Sequence, residues 1–259
     1  MESIASQHLY PQLVKGKSMF AQENEIRHVT VQEQNITLEL NQFVFAPSPN
    51  GSFYANTLGI YPQERVIDIG TGSGVLAIYA AKKGAIVSAT DIEVPAVELA
   101  RRNAQLNGVP VEVRLGSLFG DFDGPFEVII ANLPNEIVPP VYAHQLGQQL
   151  ADTFDGGESG NRFILELLDK AKTYMHAKSR LYLPVHTLTD YHQVLQTAIS
   201  SYNVKLLALA QLPAKEFVQQ NLAYYLTLNE QGIIRVFKQG DTWYTNGYIY
   251  EVTLKTNPA

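Results

Sequence analysis

Chemistry in this sequence concentrates in acids, glycines and amides that follow short apolar runs. Val66-Ile67-Asp68-Ile69 leads into Gly70-Thr71-Gly72-Ser73-Gly74, with glycine at every second position. Three β-branched residues around an acid predict a buried parallel strand, a tight turn and a helix from Val75 to Lys83. The glycines let the backbone turn sharply and let a ligand approach the amides at the helix N-terminus. A dinucleotide fingerprint puts its third glycine three places after the second; here Gly74 comes two after Gly72. Asp68, at the mouth of the strand, would repel a pyrophosphate and suit a ligand bearing an ammonium group. Asp91 follows the turn by roughly 20 residues, the distance at which an acid can grip ribose hydroxyls. Its carboxylate can accept two hydrogen bonds from a vicinal diol.

A second group is Asn132-Leu133-Pro134-Asn135-Glu136, after the apolar run Phe126 to Ala131. An amide or exocyclic amine is a poor nucleophile because its lone pair is delocalised. Two fixed acceptors, the Asn132 side-chain oxygen and the Leu133 carbonyl, could hold both N–H groups and aim the nitrogen at an electrophile. Ligands of an open α/β sheet bind outside the carboxyl ends of the strands; Asp68, Asp91, Ser117, Asn132 and His186 sit there. The histidines are His8, His28, His144, His176, His186 and His192. None pairs with another histidine or an acid at ligand spacing, and no metal site is expected. His186 is the one that could face the cleft as a general base, although a surface histidine is the plainer expectation. Tyr142 and His144 could line the pocket.

The elements that would position these residues alternate strand and helix. Strands are expected at Val66 to Ile69, Ala85 to Thr90, Val111 to Leu115, Phe126 to Ala131 and Arg180 to Val185. Pro95 suits the first turn of a helix whose end Gly108 marks, with Val97, Ala100 and Ala104 as its buried stripe. Further helices are expected at about 161–177 and 190–200, then strands at 204–210 and 222–228, the last reversed. Repeated βαβ units predict a parallel sheet with helices on both faces. Before this core, residues 1–60 read as one or two short helices, a hairpin (36–40 with 43–45, turning at Asn41-Gln42) and the proline-fixed loop Ala46 to Ser52, which would cover substrate and cofactor. The core spans 61–229, and 230–259 reads as an appended β-meander.

Composition bounds the class. The chain has 259 residues, 46% hydrophobic and 17% charged, which supports one large folded unit. A net charge of −6 argues against a surface built for nucleic-acid backbone. With no cysteine, disulfides and thiolate metal sites are excluded. No signal peptide is evident and no apolar run approaches the roughly 20 residues needed to cross a bilayer. A soluble cytoplasmic protein, with no membrane partner, is expected.

Asp68 with Gly70-x-Gly72-x-Gly74 resembles the first motif of the class I S-adenosylmethionine-dependent methyltransferases. Asn132-Leu133-Pro134-Asn135 resembles the Asn-Pro-Pro-Tyr motif of members that methylate planar nitrogens, with Leu133 for the first proline and Asn135 for the aromatic. Pro47-Ser48-Pro49-Asn50 and Gly156-Gly157-Glu158-Ser159-Gly160, with Arg162 beyond, are similar to loops of the release-factor glutamine methyltransferases. Val66 to Gly108 is also similar to the ribosomal-protein methyltransferases. The resemblance implies a doubly wound, seven-stranded, mostly parallel α/β sheet (a Rossmann-like fold) and S-adenosylmethionine as cofactor. It implies cofactor contacts from Asp68, Gly70, Thr71, Gly72, Gly74, Asp91, Ile92, Ser117, Leu118 and Asn132. Ile92 would pack on the adenine, and Ser117 stands where the family often carries an acid. Asn132, Leu133, Pro134, Asn135 and Glu136 would form the catalytic loop. The expected activity is methyl transfer to an amide or amine nitrogen of a protein or small molecule. Two alternatives stay open: an oxygen- or carbon-directed enzyme with His186 or Glu136 as base, and a non-catalytic cofactor-binding or assembly protein. A homodimer is neither required nor excluded.

Overall fold

A computed structural model describes residues 25–47, 49–141 and 155–255. The helices expected before residue 25, Ser48, Tyr142 and His144 lie outside the described residues. The described chain begins with an antiparallel hairpin, β1 (Glu25–Val31) and β2 (Gln34–Leu40), turning at Gln32-Glu33. The expected pairing of 36–40 with 43–45 is therefore corrected. The Asn41 side-chain oxygen accepts from the amides of Phe43 and Val44 at 2.9 and 3.0 Å. That Asx-type turn takes donors a strand would need. Helix α1 (Pro49–Ala55) follows.

The apolar runs then form β3 (Arg65–Ile69), β4 (Ile86–Asp91), β5 (Val111–Leu115), β6 (Val128–Ala131) and β7 (Arg180–His186). They are parallel, in the order β5-β4-β3-β6-β7. Between them lie α2 (Val75–Lys82), α3 (Val94–Leu106) and α4 (Arg162–Ala171). Pro95 sits in the first turn of α3 and Gly108 follows its end at φ +64°, as expected. Side chains alternate along each strand, so every strand feeds two cores. Val66, Val128 and Ile130 pack under α1, α2, α3 and β2. Ile67, Ile69, Ile129 and Leu183 pack under α4 and α5 (Tyr191–Ser201).

The far edge corrects the sequence reading. After β8 (Tyr202–Pro213) come two helices, α6 (Glu216–Gln220) and α7 (Leu222–Glu230), so 222–228 is not a strand. Tyr225 of α7 is fully buried, and its hydroxyl donates to Ile137 O at 2.8 Å. The segment expected as an appendage forms a hairpin, β9 (Phe237–Gln239) and β10 (Thr242–Leu254), but β10 lies inside the sheet. It pairs antiparallel with β7 on one side and β8 on the other. The sheet thus runs β5-β4-β3-β6-β7-β10-β8, with β10 its reversed strand and β9 pairing to β10. Among the described residues, no helix is long and apolar enough to cross a membrane.

Candidate active site

The turn after β3 is built by backbone conformation. Gly70, Gly72 and Gly74 have φ of +69°, +55° and +82°, in the left-handed region where a Cβ is strained. A Cβ on Gly74 would meet Ala100 of α3 at 3.1 Å, so that glycine serves helix packing. A Cβ on Gly72 would meet only Val44 Cγ1, at 3.9 Å, so its backbone borders open space. Two carboxylates brace this turn. Asp68 Oδ2 accepts from the Thr71 hydroxyl at 2.7 Å and from the Ala77 amide, in the first turn of α2, at 3.1 Å. Asp68 is 1% exposed, and burial pushes its carboxyl up to about 7 despite those two bonds. It is a brace inside the turn rather than an acid presented at its mouth. Asp91 Oδ2 accepts from the Gly72 amide at 2.9 Å and Oδ1 from the Glu93 amide at 3.0 Å. A carboxylate offers about four acceptor sites, so about two remain for a diol. Partial burial raises the Asp91 carboxyl above its usual range.

The expected base-binding residues flank Asp91. Ile92 is 59% exposed, an apolar face at the strand mouth. Ser117 is exposed, whereas Leu118 is buried at φ +50° with its carbonyl accepting from the Thr90 hydroxyl. The side chain of Leu118 therefore belongs to the core, and its backbone shapes the rim. These residues fit S-adenosylmethionine: bare glycine backbone, a carboxylate with acceptor capacity left, and an exposed apolar face beside it. Two carboxylates bonded to one turn do not fit a diphosphate.

Asn132 and its loop lie beside this turn. β3 and β6 are paired neighbours, with Ile69 opposite Ala131. Leu133 closes the gap between the motifs: a Cβ on Gly70 would meet Leu133 Cδ2 at 2.9 Å. The Asn132 side chain is exposed and Pro134 half-buried, while the Asn135 amide reaches Pro184 O at 3.5 Å. The Gly156-Gly157-Glu158-Ser159-Gly160 loop joins the same edge. Gly156 N–H donates to Glu136 O at 3.0 Å, and the Thr189 hydroxyl donates to Ser159 O at 3.0 Å. Gly156 must be glycine, since a Cβ there would lie 2.0 Å from Gly160 O.

Glu136 and His186 do not stand in the cleft as bases. Glu136 is 6% exposed and its Oε1 accepts from Lys215 Nζ at 2.5 Å. Burial alone would raise its carboxyl, but the Lys215 ammonium and His186 outweigh it and hold the group below the usual range. His186 is 8% exposed, which corrects the expectation of a surface histidine. Its Nδ1 accepts from the Leu188 amide at 3.3 Å and its Nε2 meets the Thr245 hydroxyl at 3.2 Å. Burial, against the opposing pull of Glu136, holds the imidazole down to about 4. A ring that weakly basic is a poor general base near neutral pH. Among the described residues no group of three acidic or histidine side chains could hold a metal.

Two residues at the site carried no recognisable sequence signal. Asn103 of α3 is fully buried and donates to Ser73 O in the glycine turn at 2.9 Å and to Glu39 O at 3.0 Å. Tyr54 of α1, 1% exposed, accepts from the Ala131 amide at 3.2 Å and donates to Tyr182 O at 2.8 Å.

Known proteins resemble this chain. The family described as "Ribosomal protein L11 methyltransferase (PrmA)" matches residues 55–152. A protein from Methanocaldococcus jannaschii, provisionally named a protein N5-glutamine methyltransferase, is 34% identical over 142 residues, which cover 53% of this chain and 71% of that one. The ribosomal protein L11 methyltransferase of Thermotoga neapolitana is 44% identical over 75 residues, 29% of this chain and 28% of the relative. The chain thus spans most of the first relative and less than a third of the second. The crystal structure of Trm5b from Pyrococcus abyssi shares the fold, with TM-score 0.53 and 18% identity over 88% of this chain and 56% of that one. With the glycine turn, its two bracing carboxylates and the sheet order in place, the chain belongs to the class I methyltransferases that use S-adenosylmethionine.

Proposed function

We propose that the chain methylates a nitrogen of a protein acceptor, with Asn132 and the Leu133 carbonyl holding the acceptor N–H groups. The observation that carries this reading is the seat of the Asn132 loop on the glycine turn, through Leu133 against Gly70. It brings an acceptor-holding amide beside a cofactor cradle. The relatives' names point the same way, one to protein glutamine and the other to a ribosomal protein.

The cofactor supplies a methyl already activated on a sulfonium, so the protein's part is placement and exclusion of water. Asp91 takes the ribose hydroxyls with its remaining lone pairs. Gly70, Thr71, Gly72 and Gly74 present backbone to the amino acid end, held in shape by Asp68. Ile92, Ser117 and the Leu118 backbone border the adenine. Pro134 and Asn135 shape the acceptor side, and Glu136 anchors their loop through Lys215. A soluble cytoplasmic setting agrees with a ribosomal or translational substrate.

Calorimetry with S-adenosylmethionine and mass spectrometry of extracts with and without the enzyme test these roles. Asp91→Ala is expected to weaken cofactor binding at least tenfold, about 1.4 kcal/mol. Asn132→Ala is expected to keep cofactor affinity within twofold and abolish the one-methyl gain on a protein. Turnover that survives Asn132→Ala removes the acceptor assignment.

A further inference from the structure

The ladder between β6 and β7 ends beside the Tyr54 hydroxyl. Arg180 N–H donates to Glu127 O at 2.9 Å, and the register pairs Ile129 with Leu181 and Ile130 with Tyr182. In a parallel ladder a bonded residue reaches the neighbours on either side of its opposite number. The next rung would therefore join Ala131 N–H to Tyr182 O. The Tyr54 hydroxyl bonds both of these groups, accepting from Ala131 N–H at 3.2 Å and donating to Tyr182 O at 2.8 Å. A phenol carried by α1 thus ties the two strands together at the residue that precedes Asn132.

The phenol is fixed from several directions. Tyr54 is 1% exposed, in the core with Ile130 and Tyr182. The chain after it is clamped to β7: the Tyr182 hydroxyl accepts from Gly59 N–H at 3.1 Å, and Arg180 donates to Gly59 O at 3.1 Å. Arg180 also pairs with Glu64 at 2.8 Å. The burial that fixes the phenol also raises its pKa, so it remains a hydroxyl able to donate.

We propose that Tyr54 is a positioning residue for the methyl acceptor: its hydroxyl, bonded to the ends of both β6 and β7, sets where Asn132 holds the acceptor nitrogen. The proposal rests on the Asn132 reading given above. It separates positioning from stability. Without the hydroxyl, Ala131 N–H and Tyr182 O lose the partner they share, and the end of β6 that carries Asn132 loses its tie to α1. The cofactor turn on β3 is untouched.

The test measures S-adenosylmethionine binding by calorimetry, and methyl transfer from tritiated S-adenosylmethionine into soluble protein of a strain lacking the gene. Tyr54→Phe is expected to keep cofactor affinity within twofold and to lower kcat about a hundredfold, the cost of a misplacement near 1 Å. A folded Tyr54→Phe with kcat within threefold of wild type overturns the proposal. If Tyr54→Phe does not fold, 4-methoxyphenylalanine at position 54 decides. It keeps the acceptor oxygen for Ala131 but removes the donor to Tyr182 O and puts a methyl there, so kcat should again fall with cofactor affinity kept, and unchanged kcat overturns the proposal. Asn132→Ala in the same assay separates the two failures. Turnover surviving there removes the acceptor reading, whereas a dead Asn132→Ala beside an active Tyr54→Phe removes only the role of Tyr54.

Discussion

Burial decides what the titratable residues of this site can do, and it sets two of them against each other. Asp68 rises from its ordinary value to about 7, so the folded state holds a proton the unfolded chain releases. Its stabilising contribution is complete below about 4 and is lost as pH rises through about 7. His186 falls to about 4, so its contribution is complete above about 6.5 and is lost as pH falls through about 4. Glu136, held below its usual range by Lys215 against the cost of burial, acts in the same direction as His186. Between about pH 4 and 6.5 the Asp68 slope thus opposes those of His186 and Glu136. Asp68→Asn keeps an acceptor for Thr71 and Ala77 but removes one slope. Its urea-unfolding free energy is expected to rise by about 3 kcal/mol from pH 4 to 6.5. A flat profile in that variant would show that His186 does not titrate as its burial implies. The types and spacing of Asp68, Asp91 and Asn132 were legible in the sequence. Their exposure was not, because burial of His186 depends on Thr245 and Lys215, which other elements bring to it.

At the scale of elements, α3 does more than cover the sheet. Its stripe of Val97, Ala100 and Ala104 is buried as its spacing predicts. Asn103 and Asn107, one turn apart, lie along β2 and behave like a neighbouring strand. Asn103 accepts from Glu39 N–H at 2.7 Å and donates to Glu39 O; Asn107 accepts from Thr37 N–H at 3.0 Å and donates to Thr37 O. Two amides thus satisfy the edge of a hairpin that, among the described residues, has no further strand. The partner of Asn103 lies 64 residues earlier, so no local pattern announces it. Only Asn103 also reaches Ser73 in the glycine turn. Asn103→Leu takes this partner from three backbone groups, the N–H and O of half-buried Glu39 and the buried O of Ser73. It is expected to cost about 3 kcal/mol in urea unfolding and to weaken S-adenosylmethionine about tenfold in calorimetry. Asn107→Ala, whose bonds do not touch the turn, is expected to cost about 1 kcal/mol and leave cofactor affinity unchanged. Equal effects on affinity would place the link between hairpin and turn elsewhere.

At the scale of the whole molecule, the last described strand completes the sheet rather than decorating it. The parallel half was readable because its strands are continuous apolar runs buried on both faces. The antiparallel half was not. Leu222 to Leu228 carries strand-like residues, yet Tyr225 turns inward from a helix to bond Ile137. β10 mixes Thr245, Asn246, Gly247 and Tyr248 with apolar residues, so its sequence resembles a surface hairpin. Its place is set by pairing: Tyr244 to Leu254 lie along β8 from Pro213 to Tyr202, and Gly247 to Val252 along β7 from His186 to Leu181. Ending the chain at Gly240 would leave β8 without its neighbour and β7 paired on one side only, and would open the core that fully buried Val252 now fills. That truncation should collect as insoluble protein, and any soluble fraction should show no cooperative urea transition by circular dichroism. A true appendage could be removed with the midpoint and slope of unfolding unchanged. A soluble, cooperatively folding chain that ends at Gly240 and still binds S-adenosylmethionine would mean that the sheet closes without its reversed strand. His186, whose Nε2 meets Thr245 of β10, would then sit against solvent, and its depressed pKa would return toward the ordinary imidazole value.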